Sequence, residues 1–311
     1  MHTRKVTRTL TARDGTRITW HTHRPMGPGA PDDAELAKRP TLVLTNGIGT
    51  SENFWKHLVH VFGHDYRVVH WDYRGHGDSE VARSGDYAME TFADDLALVV
   101  EAAIRDGDGV TAPFLVGFSM GVIVTLELYR ARPDLVPAMV LIGGPAEAPW
   151  STFGPMRIPG ALPLVRGVLA AARPFVRTTA PAVNAVFNAP FAYPLARALG
   201  ILRDRAPRDE VAAFTENLSR MDPRAFWDTL CELMRARATD VLRTVQVPTL
   251  VIGASHDRMI PRSQIEKLAA QLNGPHRIII ENTGHAILLE AGPEVAAAMR
   301  LFLRGIEVPP R

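Results

Sequence analysis

Three short stretches of this 311-residue chain carry side chains that could act together on a carbonyl group. The first is LVGFSMGVIV, Leu115 to Val124, where a Gly-Phe-Ser-Met-Gly knot interrupts an apolar run. Ser119 between Gly117 and Gly121 fits G-x-S-x-G, a sharp strand-to-helix turn that lifts a serine hydroxyl above a sheet. A nucleophile held in such a strained turn leaves no room for side chains beside it, and glycines meet that need. The helix that follows adds free N–H groups and the positive end of its dipole. The pentapeptide alone is a weak signal, and its partners decide it.

A serine hydroxyl needs a base, and the base needs an acid to orient it. Of eleven histidines, His285 in TGHAILLE stands apart, because it follows the apolar run HRIIIEN and precedes a helical pattern. Asp257, in SHDR, follows the run PTLVIGA and precedes another helix. The chain order Ser119, Asp257, His285 is the Ser–Asp–His order of one hydrolase architecture. Glu147, after LIGGPA, is the rival acid, and Asp240 reads as closing an inserted segment. Acyl transfer also needs N–H donors for a developing oxyanion. One is assigned to Met120, directly after the nucleophile. The other is assigned to Ile48, in the turn Asn46-Gly47-Ile48-Gly49 that ends TLVLTN. This chemistry requires no metal and no organic cofactor.

These residues can meet only if the elements before them end at one edge, which is where open parallel sheets bind ligands. Six near-continuous Val/Ile/Leu runs satisfy that: TLVLTN (41–46), YRVVHWD (66–72), PFLVGF (113–118), PAMVLIGG (137–144), PTLVIGA (248–254) and HRIIIEN (276–282). Such runs are strands buried on both faces. Upstream, TRKVTRTLTARDGTRITWHTH alternates about an Asp14-Gly15 turn and reads as an antiparallel hairpin at a sheet edge. RPMGPGAPDDAELAKRP reads as an exposed loop. Between the runs, TFADDLALVVEAAI places Phe92, Leu96, Val99, Val100 and Ala103 on one helical face, with Thr91 as its cap. MGVIVTLELYRARP stops before Pro133, PRSQIEKLAAQLNG runs from Pro261 to Asn273-Gly274, and PEVAAAMRLFL closes the chain.

The expected fold is therefore α/β: a mainly parallel eight-stranded sheet with helices on both faces. The rhythm breaks between about Pro149 and Asp240, where no strand is evident. This gives residues 1–147 as the first part of the core, 148–240 as a helical insertion and 241–311 as the second part of the core. From Trp150 to Arg203 the insert has six arginines and no acid, which reads as solvated surface charge or as a greeting for an anionic substrate or a lipid surface.

Composition narrows the partners. A net charge of +2 is too near balance to suggest nucleic-acid binding. No run approaches the length of a membrane span. The basic N-terminus lacks the apolar segment of a secretory signal, so a cytoplasmic location is the expectation. Cys231 is the one cysteine, so no internal disulfide exists, and in FWDTLCELM it reads as a small buried hydrophobe.

Taken in order, NGIG, WDYRGHGDS (71–79), GFSMG, GASHDRMIP and TGHAILLE resemble the α/β-hydrolase fold superfamily over nearly all of the chain except the insert. Within that superfamily the chain is similar to small bacterial esterases, lactonases (3-oxoadipate enol-lactonase-like), perhydrolases and carbon–carbon bond hydrolases. The resemblance implies that the insert is a helical cap over the site, and that Asp72, Arg74 and His76 are structural. It implies a serine hydrolase acting on a carboxylic ester or lactone, with a small-molecule substrate carrying an apolar part. A perhydrolase or carbon–carbon hydrolase would share the triad, and a low-turnover ligand sensor would share the fold. One position departs from the family: Asn46 stands where the oxyanion turn usually has histidine, which makes Asn46 a candidate substrate contact.

Overall fold

Alternation inside the apolar runs decides the architecture. Along β5 (Phe114–Phe118), Phe114, Val116 and Phe118 enter one apolar cluster and Leu115 the other. The same split recurs in β3 (Thr41–Thr45), where Leu42 and Leu44 oppose Val43, and in β6 (Met139–Ile142), where Val140 and Ile142 oppose Met139 and Leu141. Successive side chains of a strand point to opposite faces, so these strands are buried on both sides and need a helical layer on each.

The structure, a computed structural model, describes residues 2–109, 111–148, 167–168, 170–187, 189, 192–198 and 201–306. The remaining strands are β1 (His2–Thr11), β2 (Arg17–Met26), β4 (Arg67–Trp71), β7 (Thr249–Ala254) and β8 (His276–Ile280). They form one eight-stranded sheet in the order β1-β2-β4-β3-β5-β6-β7-β8. β1 pairs antiparallel with β2, and β2 with β4; every other pairing is parallel. The expected sheet and its edge hairpin are both present.

The α-helices among the described residues include, in chain order, α1 (Asp33–Ala37), α2 (Lys56–Phe62), α3 (Met89–Arg105), α4 (Met120–Ala131), α5 (Val176–Phe187), α6 (Ala192–Ala198), α7 (Arg208–Arg220), α8 (Pro223–Leu233), α9 (Arg262–Ala269), α10 (Ile287–Glu290) and α11 (Gly292–Arg304). Helices α3, α4 and α9 cover one face through Phe92, Leu96, Ile123 and Ile265. Helices α2 and α11 cover the other through Leu58, Phe62, Val295 and Met299.

Helices α5 to α8 all belong to the insert between β6 and β7. Its two ends are clipped together: Ala238 N donates to Ala146 O and Ala148 N to Ala236 O, around a bridge between Glu147 and Arg237. Arg157 and Arg166 of the arginine-rich stretch lie outside the described residues. No helix among the described residues is long and apolar enough to cross a membrane.

Four local expectations are corrected. The loop over 24–40 contains α1, whose capping box pairs Asp32 with Glu35. Helix α3 starts at Met89 after Ala88, so Thr91 is not its cap; its hydroxyl donates to Asp86 instead. Helix α9 ends at Ala269, short of Asn273-Gly274. Cys231 is half-buried rather than buried, and burial pushes its thiol upward.

Candidate active site

Ser119 sits between β5 and α4 at φ 53° and ψ −116°, one of two non-glycine residues with positive φ among those described. L-residues pay for that conformation in steric strain, which persists only where surroundings enforce it. Here they do. A Cβ on Gly117 would lie 2.5 Å from Gly121 O, and one on Gly121 would lie 2.3 Å from Thr45 O. Ser119 N donates to Ile142 O at 2.9 Å, and Val122 N to Ser119 O at 3.0 Å. A third glycine, Gly144, was not singled out in the sequence, yet a Cβ there would lie 2.3 Å from Ser119 O. The paired glycines closing PAMVLIGG were the available signal.

The three residues expected to act together meet. Ser119 Oγ lies 3.0 Å from His285 Nε2, and His285 Nδ1 lies 2.8 Å from Asp257 Oδ2. An ionised carboxylate only accepts, so Nδ1 carries the hydrogen and Nε2 is left to accept from the serine hydroxyl. The other oxygen of Asp257 accepts from Met259 N and Ile260 N, both at 2.8 Å, which fixes the carboxylate's direction. All three residues are buried, at 9% exposure or less. Burial pulls the His285 pKa down, but the charge and hydrogen bond of Asp257, with a further push from Glu290, carry it above its ordinary 6.5. Glu147 is elsewhere, paired with Lys267 at 2.7 Å, and Asp240 pairs with Arg130.

Met120 is the first residue of α4, and its N–H has no intrahelical partner. Neither that N–H nor the one of Ile48 donates to another described residue. The turn bearing Ile48 comes close because Gly47 has no side chain: a Cβ there would lie 3.2 Å from both Ser119 Cβ and Phe118.

Asn46 does not line the cavity. It is 1% exposed, its Nδ2 donates to Trp71 O at 2.9 Å, and its Oδ1 accepts from Trp55 Nε1 at 2.6 Å. Its own carbonyl accepts from Tyr73 OH at 2.6 Å. The side chain is thus consumed in holding the turn to β4, which corrects the expected substrate contact. The DYRGHGDS stretch is likewise taken up internally. Arg74 forms two 2.8 Å bonds to Asp95, Asp72 accepts from Asp78 N at 2.9 Å, and buried His76 is lowered to about 4 by desolvation.

A cavity of about 710 Å³ opens over Ser119. Its floor includes Ile48, Phe118, Ser119 and His285 from the strand ends; its other wall is the insert, with Tyr193, Leu202, Phe214, Leu218 and Phe226. The lining is mostly apolar, as small-molecule sites generally are. Arg208 also lines it, its guanidinium 5.2 Å from the centre of the Tyr193 ring. Three of the insert's arginines are engaged within the insert itself: Arg173 with Asp228 at 2.5 and 2.8 Å, Arg177 with Asp222 at 3.2 Å, and Arg197 with Asp204.

Among the described residues one group, His21, His70 and Asp72, holds its ligand atoms within 4.8 Å of one another, as a metal site would require. Thr7 and Asp72 occupy the two nitrogens of His21, and His23 Nε2 lies 2.7 Å from His70 Nδ1. The group therefore already has protein partners, and β3 separates its strands from β5. Its histidines were invisible as a cluster because cross-strand pairing of β2 with β4 brings them together.

Comparison with known proteins follows the same lines. Residues 37–292 match the family model described as serine aminopeptidase, S33. A putative carbamate hydrolase, RutD, of Pseudomonas syringae pv. syringae (strain B728a) is 29% identical over 276 residues, covering 86% of this chain and 95% of that protein. The crystal structure of a hydrolase from Pseudomonas aeruginosa PA01 superposes with a TM-score of 0.71 at 21% identity, covering 96% of this chain and 98% of the other. The enol-lactonase of Burkholderia xenovorans LB400 does so with a TM-score of 0.69 at 19% identity, covering 96% and 100%.

Proposed function

The chain belongs to the serine aminopeptidase S33 family, a family of hydrolases on the α/β-hydrolase fold, and from that premise we propose that it cleaves a carboxylic ester or lactone through an acyl-enzyme. The observation that carries the reading is the unbroken chain from Ser119 Oγ through His285 to Asp257, at 3.0 and 2.8 Å, beneath a largely apolar cavity.

Ser119 Oγ attacks the substrate carbonyl carbon while His285 Nε2 takes the hydroxyl proton. The resulting oxyanion is held by the Ile48 and Met120 N–H groups, which have no acceptor among the described residues. Collapse of the tetrahedral intermediate expels the alkoxide, which leaves with the proton from His285. Water then attacks the acyl-enzyme, gives its proton to the same nitrogen, and releases the acid and free Ser119. Asp257 stays ionised throughout, holding the tautomer and stabilising the imidazolium. The apolar walls suit a substrate with an apolar acyl or alcohol part. We read the insert as the cap that roofs this site. With Arg173, Arg177 and Arg197 engaged inside it, these three serve the cap rather than an anionic substrate.

A second reading is favoured by the Pseudomonas syringae relative: the same machinery acting on a carbamate, as the name of that protein, putative carbamate hydrolase, describes it. The two differ in the acyl part: a carbamate carries nitrogen on the carbonyl carbon, so attack by Ser119 would leave a carbamoyl-enzyme in place of an acyl-enzyme. Turnover of a matched panel of p-nitrophenyl esters of graded chain length, lactones and aryl carbamates, on wild type and Ser119→Ala, separates them. Faster Ser119-dependent turnover of esters and lactones supports the first reading. Carbamates turned over best supports the second. No Ser119-dependent turnover across the panel contradicts both.

A further inference from the structure

The loop that carries His285 is fastened to the insert by its backbone. His285 N donates to Ile201 O at 2.9 Å, and Ala286 N donates to the same oxygen at 3.3 Å. Beside these bonds lies a carboxylate, Glu290, only 4% exposed. One of its oxygens accepts from Gly284 N at 2.8 Å and the other from Arg203 N at 3.0 Å. Gly284 allows the approach, since a Cβ there would lie 3.0 Å from Ile201 O and 3.1 Å from Glu290 Oε1.

Resting on the acyl-transfer reading above, we propose that Glu290 is a positioning residue for the reaction: its buried carboxylate joins the His285 loop to Ile201–Arg203 of the insert and so fixes the imidazole over Ser119. Burying a carboxylate is costly unless its oxygens are satisfied, and two backbone N–H groups from two separate segments satisfy these. An amide at this position offers one accepting oxygen and turns a donor toward the other N–H. The join also reaches substrate, because Ile201 and Leu202 line the cavity. A substrate that seats against the insert therefore acts on the same segment that holds His285.

The charge has its own effect. The charged groups that bear on His285 are Asp257 and Glu290, both raising its pKa against burial. Glu290 is itself raised by burial, opposed by the two N–H bonds and by Arg203, with Asp257 adding to the rise. Removing the Glu290 charge therefore lowers the His285 pKa and extends activity to lower pH, because the base must be neutral to act.

The test is kcat, KM and the pH profile of kcat/KM for wild type, Glu290→Gln, Glu290→Asp and Gly284→Ala, on whichever ester, lactone or carbamate wild type turns over. Glu290→Gln should lose about ten- to a hundredfold in kcat through misplacement of the base, with KM little changed and the acid limb moved to lower pH. Glu290→Asp keeps the charge but loses reach, so kcat falls while the limb stays. Gly284→Ala crowds the join without touching the charge and should behave like Glu290→Asp, which keeps the test alive if a Glu290 variant fails to fold. Folded variants with wild-type kcat, or losses in kcat with the Glu290→Gln limb unmoved, overturn the proposal. A wild type without Ser119-dependent turnover overturns the acyl-transfer reading instead.

Discussion

Two neighbouring glycines at the end of β6 should fail for different reasons when given a methyl group. Gly144→Ala would place a Cβ 2.3 Å from Ser119 O and 2.3 Å from Val122 Cγ2. Ordinary contact begins near 3.4 Å, so the backbone of Ser119 and the first turn of α4 must retreat by about 1 Å. A displacement of that size costs roughly a hundredfold in rate at a reacting atom, and the overpacking about 1–3 kcal/mol of stability. Gly143→Ala meets nothing closer than 3.6 Å but sits at φ +53°. It should cost about 1–2 kcal/mol in strain and leave kcat nearly intact. The assay is kcat for the best substrate at saturation, with thermal unfolding of each variant alongside. Equal kcat for Gly144→Ala and wild type would refute the claim that this glycine sets the nucleophile. A large kcat loss in Gly143→Ala would refute the separation of strain from position.

Other outcomes follow from the same geometry. Asp257→Asn should lower kcat roughly ten-thousandfold with the fold retained. Because Asp257 raises the His285 pKa, the wild-type acid limb of kcat/KM should lie above pH 6.5 and move down in this variant. A limb that stays in place would contradict the assignment of the base. Asn46→Ala should destabilise by about 1–3 kcal/mol, because Trp55 Nε1 and Trp71 O lose their partner; denaturant unfolding measures it, and a KM effect without destabilisation would restore the substrate-contact reading. Arg74→Ala strands buried Asp95 and should cost about 3–5 kcal/mol, seen as a lowered unfolding midpoint.

What the sequence made legible was whatever a local pattern encodes. The parallel strands announced themselves because both faces are buried, leaving unbroken apolar runs such as PTLVIGA. Ser119, Asp257 and His285 were legible because each closes such a run, and in a parallel sheet run ends share one edge. What stayed hidden depends on partners far away in the chain. The fate of Asn46 rests on Trp55, Trp71 and Tyr73, nine to twenty-seven positions distant. Glu290 carried no local signal, since its partner Arg203 lies eighty-seven positions upstream in the insert. The arginine excess in the insert's first half was visible, but not that acids of its second half answer it. Thr91 has the right chemistry for a cap, yet Asp86 takes its hydroxyl and the helix begins two residues earlier.

The central claim is that Ser119 is an activated nucleophile. Intact-protein mass spectrometry after brief exposure to a fluorophosphonate tests it most directly. One adduct per chain is expected, mapped to Ser119, absent from Ser119→Ala and strongly slowed in Asp257→Asn. No adduct on wild type, or an adduct that persists in Ser119→Ala, would contradict it.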